Sequence, residues 1–307
     1  MRVAVTGASG FLGSHLVTAL RADGHQVVRL VRRAPESPEE ARWDPVAGTV
    51  DSGALTGADA VVHLAGVSVA SQRWTPAFKE EIRRSRVGGT RTIATAIAAM
   101  PVKPSVFVSG SAIGWYGDTG DSVVAENAPA GSGFFADVVR QWEEATQPAA
   151  DAGVRVVRVR TGLVTSGAGG LLAMPVPVPV VRVSLLQLFR LGLGGTLGSG
   201  KQWMSWISLD DEIAAIRFAI DSEISGPVNL TAPQPVTNRE FTRALGSAVH
   251  RPALARVPSV AIRVLAGEFG GDILTSQHVQ PRALLGAGFS FQHTTIDEAL
   301  ASALRSS

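Results

Sequence analysis

Thr6-Gly7-Ala8-Ser9-Gly10-Phe11-Leu12-Gly13 follows the apolar run Val3-Ala4-Val5 and precedes a stretch with Leu12, Leu16, Ala19 and Leu20 on one helical face. This spacing predicts a buried strand, a glycine turn and a helix that stops at Gly24. Glycine at 7, 10 and 13 permits a tight turn, close approach of a pyrophosphate to the backbone, and close helix–strand packing. The helix start then offers free N–H groups and a positive dipole end to phosphate. Ser9, Phe11 and Leu12 complete the expected cradle. Glycine also serves strand–turn–helix junctions for purely structural reasons, so the weight of the motif comes from its place in a βαβ unit.

Outward from that unit, short apolar runs alternate with helical stretches. Val27–Val31, Ala60–Ala65, Val106–Ser109 and Val154–Val159 fit buried strands, with a weaker Arg42-Trp43-Asp44-Pro45 segment between the first two. Helices are expected from about Pro76 to Met100, where Gly88-Gly89 would kink the helix or let it lie close to a neighbour, and near Ala136 to Ala150. Beyond Thr161, Gly, Pro and Leu dominate up to Gly200. Leu209–Asp221 returns to helix and Gly226–Leu230 to strand. Thr237 with Glu240, and Thr295 with Glu298, form capping boxes. The fold class is α/β: a Rossmann-type doubly wound parallel sheet with a smaller C-terminal α/β lobe. The expected division is a nucleotide-binding Rossmann domain over residues 1–165 and a substrate-side lobe over 166–307. The two interleave, with about 226–233 returning to the main sheet.

Bulk properties narrow the classes. The 307 residues are 45% hydrophobic and 18% charged, which suits a folded enzyme-like body and excludes a disordered chain. A net charge of +2 without a dense basic tract argues against nucleic acid as a partner. No cysteine is present, which removes disulfides, thiolate metal sites and thiol nucleophiles and fits a reducing compartment. The six histidines lack metal-ligand spacing, so no metal is expected. The most apolar later stretch, Pro175 to Phe189, is interrupted by prolines and Arg182 and is no membrane span. With no signal-peptide layout at the start, a soluble cytoplasmic protein is expected. The oligomeric state is left open.

The end of the second strand discriminates between nicotinamide cofactors. A carboxylate there would accept the ribose hydroxyls of NAD. This chain has Arg32 and Arg33 instead, and guanidinium groups suit the 2′-phosphate of NADP through forked, charge-assisted bonds. The alternative is a pair of ordinary surface arginines.

The wide Gly-x-x-Gly-x-x-Gly with Phe11-Leu12-Gly13 resembles the extended short-chain dehydrogenase/reductase family, which includes sugar-nucleotide epimerases and dehydratases. His63-Leu64-Ala65-Gly66 resembles that family's motif beside the adenosine half of the cofactor. Further blocks resemble an atypical subgroup, the epimerase family proteins, or NAD-dependent epimerase/dehydratase-like group. They are Arg73-Trp74, Lys79-Glu80-Glu81-Ile82, Ser85-Arg86, Ser109 through Asp118, Arg190 through Gly195, Gly198 through Trp203, and the tail from Arg251-Pro252 to Phe289. The resemblance covers nearly the whole chain. It implies cofactor contacts from Leu64, Ala65, Gly66, Glu81, Arg86 and Ser109. Met174 to Gln187 departs from it as an insertion before Phe189-Arg190-Leu191-Gly192.

A second departure touches the chemistry. The family's Tyr-x-x-x-Lys relays a proton while nicotinamide carries the hydride. Tyr116 is the one tyrosine here, and Gly120 stands four residues later. Aligning Trp142-Glu143 with the end of the corresponding helix puts Phe135 at the tyrosine position and Val139 at the lysine position. The usual relay is therefore excluded. Ser111 matches the substrate-positioning serine, and Tyr116 is the second catalytic candidate, expected to line the cleft. Either Ser111 orients substrate or it is a loop serine bonded to backbone. Trp203 and Trp206 are expected either to wall the pocket or to pack in the lobe. Asp210 and Asp211 suit a helix start.

Two functions fit: an NADP-dependent oxidoreductase or epimerase-like enzyme acting on a small molecule, or a catalytically inactive NADP-binding sensor or scaffold protein. Both predict that calorimetry finds tighter binding of NADP than NAD, with the difference removed in Arg32→Ala. Equal affinities in the unsubstituted protein would refute the cofactor assignment.

Overall fold

The structure, a computed structural model, describes residues 1–51, 53–177 and 182–305. Among the described residues up to 165, nine strands form: β1 (Arg2–Thr6), β2 (Gln26–Val31), β3 (Glu40–Asp44), β4 (Thr49–Val50), β5 (Ala60–His63), β6 (Val106–Ala112), β7 (Val123–Val124), β8 (Arg155–Thr161) and β9 (Leu163–Thr165). The main sheet has eight strands, ordered Gly226–Leu230, β8, β6, β5, β1, β2, β3, β4. All pairings are parallel except β3 with β4. The expected return of residues near 226–233 to this sheet is present as its edge strand, with Val228 beside Val159.

Alternation along each strand explains the two covered faces. Val3 and Val5 of β1 point into a cluster with Leu16 and Leu20 of α1 (Phe11–Ala22) and Ile213 and Ile216 of the helix Leu209–Asp221. Ala4, Val61 and Phe107 point the other way, onto Ile93 and Ile97. Such strands are apolar at nearly every position because neither face meets water. Each fully buried Leu, Ile or Phe contributes roughly 1.5–3 kcal/mol.

The helix expected over 76–100 is present with an irregularity. α2 (Pro76–Arg83) runs through a π-helical turn at Arg84–Gly88 into α3 (Gly89–Ala98). Thr75 caps its start through Phe78 N–H, and Pro76 sits in the first turn, where no N–H is missed. Gly89 lies against His63 and Trp43, where a Cβ would make ordinary van der Waals contact at 3.5 Å. The expected helix at 136–150 is two pieces, α4 (Phe134–Glu144) and α5 (Gln147–Asp151).

The C-terminal half packs a separate cluster around Trp206, Phe241, Leu245 and Leu300. Both expected capping boxes form: Thr237 exchanges bonds with Glu240, and Thr295 with Glu298. Within the Met174–Gln187 segment, residues 178–181 lie outside the described residues. On either side, Pro175–Pro177 pairs antiparallel with Arg182–Ser184. Among the described residues no helix is long and apolar enough to cross a membrane.

Close packing of α1 on β1 depends on Gly13, where a Cβ would sit 2.1 Å from the Gly7 carbonyl oxygen and 2.7 Å from its carbon. Because those atoms are backbone, relief requires the turn itself to move. Gly13→Ala is expected to lose about 1–3 kcal/mol in urea unfolding. A loss too small to measure would show that the turn tolerates separation from the helix.

Candidate cofactor and substrate site

The sheet order reverses at β1, whose neighbours β2 and β5 leave in opposite directions, and this opens a crevice at the C-terminal ends of the strands. Gly7 lies there at φ +69°, and a Cβ on it would meet Leu64 C at 2.8 Å and Ala65 N at 2.9 Å. The turn closes with Gly10 N–H donating to Gly7 O at 2.8 Å. Gly10 heads α1 without a side-chain cap, and the first turn carries no acid. Ser9 and Gly10 are exposed, while Phe11 and Leu12 are half-buried. This arrangement leaves an uncapped, positively polarised helix end facing solvent, the electrostatics a phosphate needs. Beneath it, Thr6 Oγ1 and His63 Nδ1 are 2.7 Å apart, and burial pushes the His63 imidazole down to about 3, so it stays neutral. Phe11 closes the far side, since a Cβ on Gly169 would touch its ring at 2.2 Å.

The two arginines after β2 differ. Arg32 is exposed and its guanidinium has no partner among the described residues. Arg33 is tied to Glu40 through two bonds of 2.8 Å and lies 3.3 Å from Glu36. The Arg33 hydrogen bonds and the Glu36 N–H hold the Glu40 carboxyl below its usual range, and the same bonds raise Arg33. Arg33 therefore shapes the turn that displays Arg32.

On the opposite flank, Leu64 and Ala65 are half-buried, and Gly66 and Glu81 are exposed. Arg86 is buried. Its Nη1 donates to Val67 O at 2.9 Å, its guanidinium lies 5.1 Å from the Trp142 ring, and its Nε has no partner. Burial lowers it to about 10, so it stays charged at neutral pH, and among the described residues no carboxylate forms an ion pair with it. Phe135 packs against Gly114, Trp74 and Arg86, and Val139 is wholly buried.

Ser109 and Ser111 end β6, both buried, with Ser109 Oγ donating to Gly110 O at 3.2 Å. Ser111 Oγ donates to Glu143 Oε1 at 2.6 Å, and Arg160 clasps that carboxylate through Nε at 2.7 Å and Nη2 at 2.9 Å. Arg160 Nη1 donates to the Tyr116 hydroxyl at 2.9 Å, and Tyr116 donates to Asn229 Oδ1 at 2.7 Å. This corrects the expectation of a cleft-facing phenol, because Tyr116 is only 4% exposed. Burial raises its pKa, with Arg160 opposing, so it is a weaker acid than free tyrosine. Burial would lower Arg160, but Glu143 and Tyr116 together more than reverse it. Serine, carboxylate, guanidinium, phenol and amide thus form one buried chain crossing β6, α4, β8 and the edge strand.

Glu143, Arg160 and Asn229 were missing from the sequence-based site. The signal for Arg160 was an arginine set between the valines and the end of β8, whose third arginine it is, and a buried charge requires a partner. The tryptophans divide. Trp206 is fully buried in the lobe core and donates to Gln234 O, while Trp203 is half-buried and stacks on His278 at 4.0 Å. Asp211 is buried as well, accepting from Gln292 and His293 N–H and so fastening the C-terminal segment.

The glycine turn and uncapped helix end at the crevice of a doubly wound parallel sheet define a Rossmann-type protein. Residues 3–230 match the NAD dependent epimerase/dehydratase family, and 257–303 match a domain of unknown function, DUF1731. The chain belongs to the NAD dependent epimerase/dehydratase family. It is 50% identical over 300 residues to an epimerase family protein of Mycobacterium tuberculosis, covering 97% of this chain and 96% of the relative. With an epimerase family protein of Bacillus subtilis it shares 32% over 306 residues, 98% of each. The crystal structure of human epimerase family protein SDR39U1 with NADPH superposes with a TM-score of 0.89 at 32% identity, over 99% of both chains.

Glu212 gives a pH test of the buried polar edge. It is fully buried, accepts from Thr161 Oγ1 at 2.8 Å and has an unpartnered Oε2. Burial pushes its carboxyl up to about 8 from an ordinary 4.5. Between those values the folded chain keeps a proton that the unfolded chain has lost. Its contribution is therefore intact below pH 4.5 and falls by about 1.4 kcal/mol per pH unit up to the folded value. Glu212→Gln should lack this slope. A stability difference between variant and unsubstituted protein that stays flat from pH 5 to 7.5 would contradict it.

Proposed function

We propose that this protein binds NADP(H) at the glycine loop and uses it in oxidoreductase or epimerase-like chemistry on a small molecule, without the Tyr-x-x-x-Lys relay. The observation that carries the reading is the uncapped α1 terminus, held open by Gly7 against Leu64 and Ala65, with the unpaired Arg32 beside it. The NADPH in the human relative's structure supports the same cofactor. Bound nicotinamide would supply the hydride donor or acceptor.

The chain's own groups then divide the work. Gly7 through Gly13 would hold the pyrophosphate, and Arg32 the 2′-phosphate, through charge-assisted bonds worth about 1.5–3 kcal/mol each. Arg86, charged and short of acceptors, is suited to hold a polar or anionic part of the nucleotide between Gly66 and Phe135. Ser111 has its proton committed to Glu143, so it offers lone pairs to accept from a substrate hydroxyl. Tyr116 serves the architecture, because its donor and an acceptor site are already engaged. The moving proton therefore comes from water or from a side chain other than Tyr116.

A second reading, a binding protein that holds NADP(H) without turnover, is favoured by one observation. The relay positions are the hydrocarbons of Phe135 and Val139, which exchange no proton.

Absorbance of bound NADPH against a panel of aldehydes, ketones and nucleotide sugars separates the two. The enzyme reading expects oxidation by one class, abolished in Ser111→Ala while NADPH affinity is retained. Tyr116→Phe is expected to lower thermal stability more than turnover. Intact NADPH binding with no oxidation across the panel would replace the first reading with the second.

A further inference from the structure

We propose that a second site, in the C-terminal half, binds a phosphate-bearing small molecule in the cavity between Asp121, the strand Trp203–Met204 and the helix Asn238–Ala248. The cavity has a volume of about 470 Å³, within the range of small-molecule pockets. None of its lining residues belongs to the glycine loop or to the strand ends around it, so it stands apart from the nucleotide cradle and from the function proposed above.

The charge arrangement defines the ligand class. Lys201, Arg239 and Arg243 converge on the cavity with two carboxylates, Asp121 and Glu240. Neutral donors hold both carboxylates in place and leave them charged: Glu240 Oε2 accepts from Thr237 N–H at 2.7 Å and Thr237 Oγ1 at 2.8 Å, and Asp121 Oδ1 accepts from Trp203 Nε1 at 3.2 Å. Three cations against two carboxylates leave the recess one positive charge in excess. Among the described residues none of the three cations forms an ion pair, and Arg239 bonds only the Ser199 carbonyl, through Nη2 at 3.2 Å. Two guanidinium groups and an ammonium around one recess match the several oxygens of a phosphate ester or diphosphate better than a single carboxylate.

The recess is also built, and does not depend on chance proximity of long side chains. Gly200 takes φ +69°, and a Cβ there would lie 2.2 Å from Thr196 Cγ2 and 3.3 Å from Arg239 Cβ, so the loop carrying Lys201 is pressed onto the helix carrying Arg239. Arg239 N–H donates to Gly200 O at 3.0 Å, and Lys201 N–H to Ser199 Oγ at 3.2 Å. Trp203 pairs in register with Thr237, and its indole is braced by His278, stacked at 19°. The helix N–H groups are already used by Gln202 O, Gly200 O and Thr237 Oγ1. Recognition therefore falls to the cationic side chains, with the fixed indole as a flat wall for the organic part.

The test titrates inorganic pyrophosphate and inorganic phosphate into the full chain by calorimetry, with Trp203 fluorescence as a second signal identified by Trp203→Phe. Saturable pyrophosphate binding is expected, weakened at least about tenfold in Arg239→Ala/Arg243→Ala and less in Lys201→Ala, with NADPH affinity unchanged in both. Unchanged NADPH affinity shows that the variants are folded. Three outcomes overturn the proposal: no saturable binding, binding unaltered in the double variant, or pyrophosphate binding that is lost in Arg32→Ala and competes with NADPH. Sulfate bound as tightly as pyrophosphate would also overturn the assignment to phosphate chemistry.

Discussion

Backbone meets backbone where β1 gives way to α1, and the rest of the molecule is arranged to keep that contact closed. Gly7 touches the main chain at Leu64 and Ala65, and Gly13 touches Gly7. No side chain larger than hydrogen fits at either point. The consequence is electrostatic as well as steric: a helix end stripped of caps and acids is left at the surface beside the unpaired Arg32. Below it lies the buried, neutral His63 paired with Thr6.

A second buried constraint begins two strands away, on β6. Ser111, Glu143, Arg160, Tyr116 and Asn229 form a continuous polar chain across β6, α4, β8 and the edge strand. Ionised groups this deep are costly unless each is matched, and here the carboxylate faces a forked guanidinium while the remaining donors find a hydroxyl or a carbonyl. The network occupies the side chains that would otherwise make the best acid and base candidates. It also joins the first half of the chain to Asn229, which in turn bonds Gln280 O. The catalytic possibilities of the cleft are thus limited by what the architecture already uses.

Charges elsewhere follow the same logic of occupied and unoccupied partners. Arg33 is consumed by Glu40, and Arg32 is not. Asp121 and Glu240 are held by neutral donors, and among the described residues the cations around them form no ion pair. Residue type alone does not distinguish these cases, since neighbouring arginines at 32 and 33 have opposite fates because one faces β3 and the other faces solvent.

Local pattern determined a good deal of this protein: the glycine loop, the doubly wound sheet, both capping boxes, the strand at 226–230, and the absence of a Tyr-x-x-x-Lys relay. Each of these is written over a few consecutive residues, in turn geometry, period-two burial or the mere lack of a side chain. Tertiary structure decided what depends on residues far apart in the chain. It buried Tyr116 against Asn229, 113 positions away, and paired Arg160 with Glu143. It also split the helix at 84–88 with a π turn and raised Glu212 to about 8 by enclosing it. Hydrogen-bond partners and desolvation are properties of a neighbourhood in space, and a linear pattern carries them only as arginines set among the valines of a strand.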